Sequence, residues 1–216
     1  LLGLALSGGV AANASSVAVV DDLDTPFDLN PFLYYLEDPD HNITFDDIQA
    51  GQYDHRWRRN TDPVFIGRDI GVRYWFRLQL RYPNDLTALK PVLYLLGMEA
   101  NISELNLWLP ENNGHRVVRT GKMRPYGQRD IPTHQYAFYM PSAAASHTVF
   151  GAVDQLSTSA VLPFTLYTYE QFRDINFSLQ GVMIAFYAIM AALMLYNACL
   201  LVSLRLRLYG YYLLFM

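Results

Sequence analysis

From Val72 to Tyr82 the chain reads VRYWFRLQLRY, and apolar and polar positions alternate without a break. Val72, Tyr74, Phe76, Leu78, Leu80 and Tyr82 fall on one face; Arg73, Trp75, Arg77, Gln79 and Arg81 fall on the other. Period-2 alternation over this length predicts a half-buried strand, and Pro83-Asn84-Asp85 ends it. The same pattern, shorter, predicts strands at Phe32–Leu36, Val92–Leu96, Glu104–Leu109, His115–Arg119, His134–Met140, Thr148–Val153 and Val161–Thr168. In Glu104–Leu109, Leu105, Leu107 and Leu109 oppose Asn106 and Trp108; Glu111-Asn112-Asn113-Gly114 then supplies residues that tolerate a hairpin turn. Phe45–Gly51 reads as a single helical turn with Thr44 as N-cap and Asp47 three residues on. About eight short strands and no second long helix predict an all-β antiparallel sandwich or jelly roll across residues 32–169. Residues 15–31 form an extended lead-in.

After residue 174 the pattern changes. Ile175 to Leu204 contains no Asp, Glu, Lys or Arg, and Gly181–Val202 is apolar on every face. At 1.5 Å per residue that run spans about 33 Å, the thickness of a hydrocarbon core. Residues 180–204 are therefore expected to be a transmembrane helix, joined to the sandwich by a connector at 170–179. Arg205 and Arg207 follow it, and positive charge marks the cytoplasmic end of a span. Residues 208–216 (LYGYYLLFM) look like the start of a second span. At the other end, residues 1–14 combine the apolar LLGLAL with an Ala12-Asn13-Ala14 triplet and read as a signal-peptide remnant, the alternative being an apolar N-terminal strand. Both ends are expected to be truncated.

Composition alters the picture at three points. The 216 residues are 52% hydrophobic and only 17% charged, which excludes a disordered chain. Residues 21–174 hold all 20 acidic and 14 of the 16 basic residues, a net charge of −6 that argues against nucleic acid as a partner. Cys199, the single cysteine, excludes a disulfide framework and a cysteine-based zinc cluster.

The order of several short motifs carries a resemblance. Tyr35-Leu-Glu-Asp-Pro-Asp40 precedes Ile43-Thr-Phe-Asp-Asp-Ile48; Phe65-Ile-Gly67 precedes Tyr74-Trp75-Phe76-Arg77; Leu105–Leu109 precedes Thr120-Gly121; and Arg129 precedes a strand ending in Met140-Pro141. Together with the apolar span and RLRLYGYYLLFM, this resembles the bacterial seven-transmembrane receptors with diverse intracellular signalling modules. The match runs over residues 33–216, through their second type of extracellular sensor domain and into the seven-helix region. The resemblance implies a jelly roll similar to carbohydrate-binding modules, a periplasmic location for residues 15–174, and the inner membrane of a Gram-negative bacterium. It also implies a cytoplasmic output such as a histidine kinase or diguanylate cyclase, in a two-component or related pathway.

Candidate chemistry concentrates on the polar faces of two strands. Arg73, Trp75, Arg77 and Gln79 share one face, and Trp108 shares another with Asn106 and Glu104. Exposed aromatic rings beside planar polar side chains suit sugar recognition, because rings stack on C–H patches while Arg and Asn bond hydroxyls. A carbohydrate or other small polar ligand is therefore expected at Arg73, Trp75, Arg77 and Trp108, with Arg129 added by the family resemblance. The competing reading makes the two tryptophans anchors under a loop and Arg129 a structural salt bridge. Trp57 with Arg56, Arg58 and Arg59 is a basic cluster, a solvated loop or an anion or partner contact.

No cofactor is expected. Asp38, Asp40, Asp46 and Asp47, or Asp21, Asp22 and Asp24, carry the oxygens calcium takes, but they lack the EF-hand spacing and are better read as turns and caps. The histidines have no zinc-binding spacing, and no catalytic motif is present. In the span, Gly181/Ala185 and Ala188/Ala192 place small residues at i, i+4, a spacing that lets another helix approach. The favoured reading is the ligand-sensing input of a membrane receptor, possessing a glycan or small-molecule ligand and a homodimeric or receptor partner. A membrane-tethered carbohydrate-binding or adhesion protein is the alternative, and an anchored enzyme the third.

Overall fold

The computed structural model describes residues 17–95, 102–111, 114–154, 160–204 and 210–211. The chain divides after Glu170 into a strand-rich unit and a helical one. The strand-rich unit opens with β1 (Ala18–Val19), β2 (Phe27–Asp28), β3 (Leu33–Asp38) and the short helix α1 (Phe45–Gln49). Then come β4 (Arg58–Arg59), β5 (Phe65–Gly67), β6 (Arg73–Arg81), β7 (Val92–Leu95), β8 (Glu104–Glu111), β9 (Gly114–Thr120) and β10 (Tyr136–Tyr139). β11 (Ser146–Asp154), β12 (Ala160–Leu162) and β13 (Thr165–Tyr167) complete the unit, and α2 (Tyr169–Leu204) follows.

The large sheet is ordered β4-β3-β6-β11-β8-β9 and is antiparallel throughout that path. β1 is the exception to the antiparallel expectation. It pairs in parallel with Leu80 and Arg81, where β3, which reaches only Leu78, has left that edge of β6 open. A second antiparallel sheet is ordered β10-β7-β13-β2, and β12 pairs with β5 in a third of two strands. The sandwich-like core lies between the two larger sheets. Tyr74, Phe76, Leu78 and Leu80 enter it from β6, as the alternation predicts, and Leu93, Leu95, Phe138 and Leu166 meet them from the smaller sheet. Phe76 packs edge-on against Phe164 at 4.8 Å. Opposite Phe76 the partner in β11 is Gly151, and only the absence of a side chain there leaves room for the ring.

The strand predicted over Val161–Thr168 is two strands in different sheets, β12 and β13. The break falls at Pro163-Phe164. Proline has no N–H to give a ladder, and Phe164 turns its own groups elsewhere: its carbonyl accepts from Leu29 N–H at 2.9 Å and its N–H donates to Asn30 Oδ1 at 3.4 Å. Asn30 is 3% exposed and also accepts from Phe65 N–H, so one buried amide joins the lead-in, β5 and the β12–β13 junction. Asn60, donating to Asn30 O at 3.2 Å, extends the staple. A buried amide that satisfies several backbone groups fixes a chain crossing that apolar packing alone leaves free.

In the helical unit, residues 170–179, the expected connector, are helical and continuous with the span. β13 ends at Tyr167 and α2 begins at Tyr169, so Thr168 alone stands between strand and helix. The 36 residues of α2 give a length of about 54 Å, and no residue of its apolar window is buried, as suits a surface that meets lipid. The signal-peptide remnant at 1–14, Arg205 and Arg207 lie outside the described residues. So does most of the expected second span, of which Gly210 and Tyr211 are described and are helical.

Candidate functional site

Strand register stacks the outward side chains of the large sheet into three rows. Asp38, Arg73, Asp154 and Glu104 form the first; Leu36, Trp75, Ala152 and Asn106 the second; Tyr34, Arg77, Phe150 and Trp108 the third. Four of the residues singled out by sequence, Arg73, Trp75, Arg77 and Trp108, thus share one face. Ala152 lies on β11 between the two tryptophans' strands, and its small side chain lets their rings approach to 5.2 Å with 26° between planes.

This face is not bare. Residues 39–57 fold back across it as a flap. Ile43 and Ile48 bury against Leu36, Trp75 and Ala152, forming a second, smaller core outside the main one. Phe45 stacks on Trp108 at 4.8 Å with the planes only 7° apart, and meets Phe150 and His115 edge-on. Trp75 is consequently 2% exposed, while Trp108 is half-buried.

The flap is tied down by polar contacts at both ends. The buried Asp38 carboxylate accepts from the N–H groups of Asn42 (3.0 Å) and Ile43 (3.2 Å). His41, held at φ 55°, places Nε2 2.8 Å from Gly71 O. Thr44 and Asp47 form a reciprocal capping box at the start of α1. Those hydrogen bonds, first from the Thr44 hydroxyl and then from its N–H, hold the Asp47 carboxyl below the usual carboxylate range. Arg56 closes the far end by donating to Glu37 O at 2.9 Å.

The arginines differ in how fully they are used. Arg73 donates from Nε and Nη2 to both oxygens of Asp154, at 2.9 and 3.2 Å. Arg77 lies with its guanidinium over the rings of Trp57 (4.9 Å) and Tyr34 (5.6 Å) and reaches Asp54 Oδ1 through Nη1 at 3.4 Å. Arg58 is 4.0 Å from Glu37, Arg59 donates to Pro31 O, and a cavity of about 250 Å³ is lined by Glu37, His55, Arg56, Trp57 and Arg58. Three buried polar atoms on this face have no hydrogen-bond partner: Trp75 Nε1, Arg77 Nε and Asn106 Oδ1. An unpaired buried donor or acceptor costs about 1–3 kcal/mol, so three of them on one face concentrate that cost there, while the main core carries the Tyr82 hydroxyl.

Arg129 is elsewhere. Its guanidinium is clamped between Tyr126 (4.8 Å) and Tyr136 (4.9 Å) and donates to the carbonyls of Thr133 and His134, stitching the loop before β10. Burial pushes the Tyr136 hydroxyl up, and the charge of Arg129 partly opposes that rise. Three of the seven candidate calcium carboxylates bond the backbone: Asp38 and Asp47 as above, and Asp22 by accepting from Asp24 N–H. Among the described residues no three His, Cys, Asp or Glu side chains come together as a metal-ligating group. Gly181, Ala185, Ala188 and Ala192 are all exposed on α2.

Sequence reasoning did not find the flap's contribution. Phe45 and Asp54 act on this face only because residues 39–57 return over it, and no periodicity marks a return. The basic run around Trp57 was the visible signal.

Residues 30–168, more than half of the chain, match the family described as 7TMR-DISM extracellular 2. No curated protein matches the chain.

Proposed function

From the premise that the chain belongs to the 7TMR-DISM extracellular 2 family, the extracellular sensor domains of 7TMR-DISM signalling receptors, we propose that its outward sheet face binds a carbohydrate or other small polar ligand and that α2 carries the response into the membrane. The observation that supports this reading is the set of partnerless polar atoms of Trp75, Arg77 and Asn106 among stacked aromatic rings. Rings supply flat apolar surface, and the free donors and acceptor supply direction, the combination a hydroxylated ring requires. Arg73, Trp75, Arg77 and Trp108 form this site. In the same reading the sandwich is a jelly roll like that of carbohydrate-binding modules, residues 15–174 lie in the periplasm, and α2 crosses the inner membrane of a Gram-negative bacterium.

The output is a histidine kinase or diguanylate cyclase on the cytoplasmic side, and receptors pair through the small residues Gly181, Ala185, Ala188 and Ala192. A ligand transmits only if it binds two arrangements of the domain with different affinity, and the flap supplies the second arrangement. The test is a glycan array with the full chain in nanodiscs, followed by thermal shifts with any hit. Trp108→Ala and Arg77→Ala are expected to abolish the shift; an undiminished shift in both variants overturns the assignment of this face.

A further inference from the structure

Arg77 is the least satisfied arginine on the sensing face. Arg73 uses its Nε–Nη2 edge on both oxygens of Asp154, the side-on geometry in which guanidinium and carboxylate bond most strongly. In Arg77 the corresponding Nε is buried and has no partner. Its one carboxylate, Asp54, reaches the other edge through a single contact at 3.4 Å, longer than a good charge-assisted bond. The Asp54 carboxylate is 66% exposed and rides on a three-residue turn, Asp54–Arg56, that has no side-chain cap. Meanwhile the guanidinium lies over the rings of Trp57 and Tyr34, which leaves its edge for directional hydrogen bonds.

The surroundings favour an anion. Arg56, Arg58 and Arg59 follow Asp54 within five residues, and Arg56 and Arg58 line a small cavity with His55, Glu37 and Trp57, the ring that also lies under Arg77, in a region whose net charge is otherwise negative. A planar guanidinium beside two rings, with a buried Nε that no acceptor meets, is matched by a carboxylate, whose two oxygens fit its Nε–Nη2 edge. Asp54 then reads as the protein's own substitute for such a group, weakly held and replaceable.

We propose that the Arg77 edge, flanked by Trp57 and Tyr34, binds the carboxylate of an acidic ligand, and that Asp54 competes with that carboxylate for the same guanidinium. The proposal rests on the reading of this face as the sensing face and narrows its ligand class from polar to anionic. Removing the competing charge strengthens ligand binding; removing the guanidinium fork abolishes it.

All three tryptophans of the chain, Trp57, Trp75 and Trp108, lie on this face, so intrinsic fluorescence reports on it alone. The experiment titrates the full chain in detergent micelles with sodium glucuronate and, separately, with glucose, which carries a CH₂OH in place of the carboxylate. Glucuronate is expected to change the emission, to bind Asp54→Asn about tenfold tighter than wild type, and to lose binding in Arg77→Lys, which keeps the charge but not the fork. Near-ultraviolet circular dichroism of each variant checks that it is folded. Equal affinity for glucose and glucuronate, with both bindings lost in Trp108→Ala, overturns the carboxylate proposal and leaves the sensing face standing. An unchanged glucuronate affinity in Asp54→Asn, or no response even in that variant, also overturns it. Silence of both sugars together with a negative glycan array removes the sensing face itself.

Discussion

Replacing Gly151 by alanine should destabilise the strand-rich unit by about 2 kcal/mol. The residue sits in the middle of β11 with its α-carbon facing Phe76 across the strand pair. A β-carbon built there would overlap the Phe76 ring, and even the third nearest ring atom would be only 2.6 Å away. Phe76 cannot retreat, being 0% exposed and packed edge-on to Phe164 at 4.8 Å. Overpacking of this kind costs about 1–3 kcal/mol, and the entropy alanine removes from the unfolded chain returns about 0.4–1 kcal/mol of it. At about 2–4 °C per kcal/mol for a domain of this size, the melting temperature should drop by about 4–8 °C. Thermal unfolding of the full chain in detergent, followed by circular dichroism in the β region, measures it. Gly127→Ala is the control, since nothing lies within 4 Å of its added carbon. If Gly151→Ala melts together with Gly127→Ala, the close approach of β11 to Phe76 is wrong, and with it the register that places Trp75 opposite Ala152.

Phe45→Ala should uncover the Trp75–Trp108 stack, moving tryptophan emission to the red and costing about 1–2 kcal/mol for the lost half-buried ring and its stacking; an unshifted spectrum would mean the flap does not cover the pair. The Asp47 carboxyl is held low by its bonds to Thr44, so its stabilisation of the flap is present above the ordinary carboxylate value near 4 and is lost as pH falls through the lowered value. Tryptophan emission is therefore expected to show a step below about pH 4 that Asp47→Asn flattens. Inserting one alanine within 170–179 should turn everything beyond it by about 100°, and four alanines by about 40° net. In a full-length receptor with an output reporter, the single insertion should disturb signalling more than the fourfold one, and equal effects would count against rotation as the signal.

What the sequence made legible follows from which forces are local. The alternation of β6 and the charge-free run before Leu204 are written in adjacent residues, and both elements stand where the pattern puts them. β1, β2, β4 and β5 have two or three residues each, too few for a period to show. The split at Pro163-Phe164 depends on Asn30, a residue 134 positions away. The polar face of β6 was correctly grouped as Arg73, Trp75 and Arg77, but alternation could not say that Trp75 would be buried. That depends on Ile43, Phe45 and Ile48 returning over it, a tertiary event. Arg129, which the family resemblance offers as a ligand contact and the competing reading as a salt bridge, bonds loop carbonyls between two tyrosine rings, contacts that no local pattern announces.

The joint at Thr168 has a consequence for how such a receptor can vary. Between the last residue of β13 and the first of α2, only one pair of backbone torsions belongs to no regular element. A flexible tether of ten residues would have twenty, enough to dissipate any displacement handed to it. Here a single residue separates strand from helix, and an insertion or deletion within the first turns of α2 changes the phase of the helix that follows it. Thr168 is accordingly the natural splice point for chimeras, since a foreign terminal strand joined there keeps the one-residue step into α2.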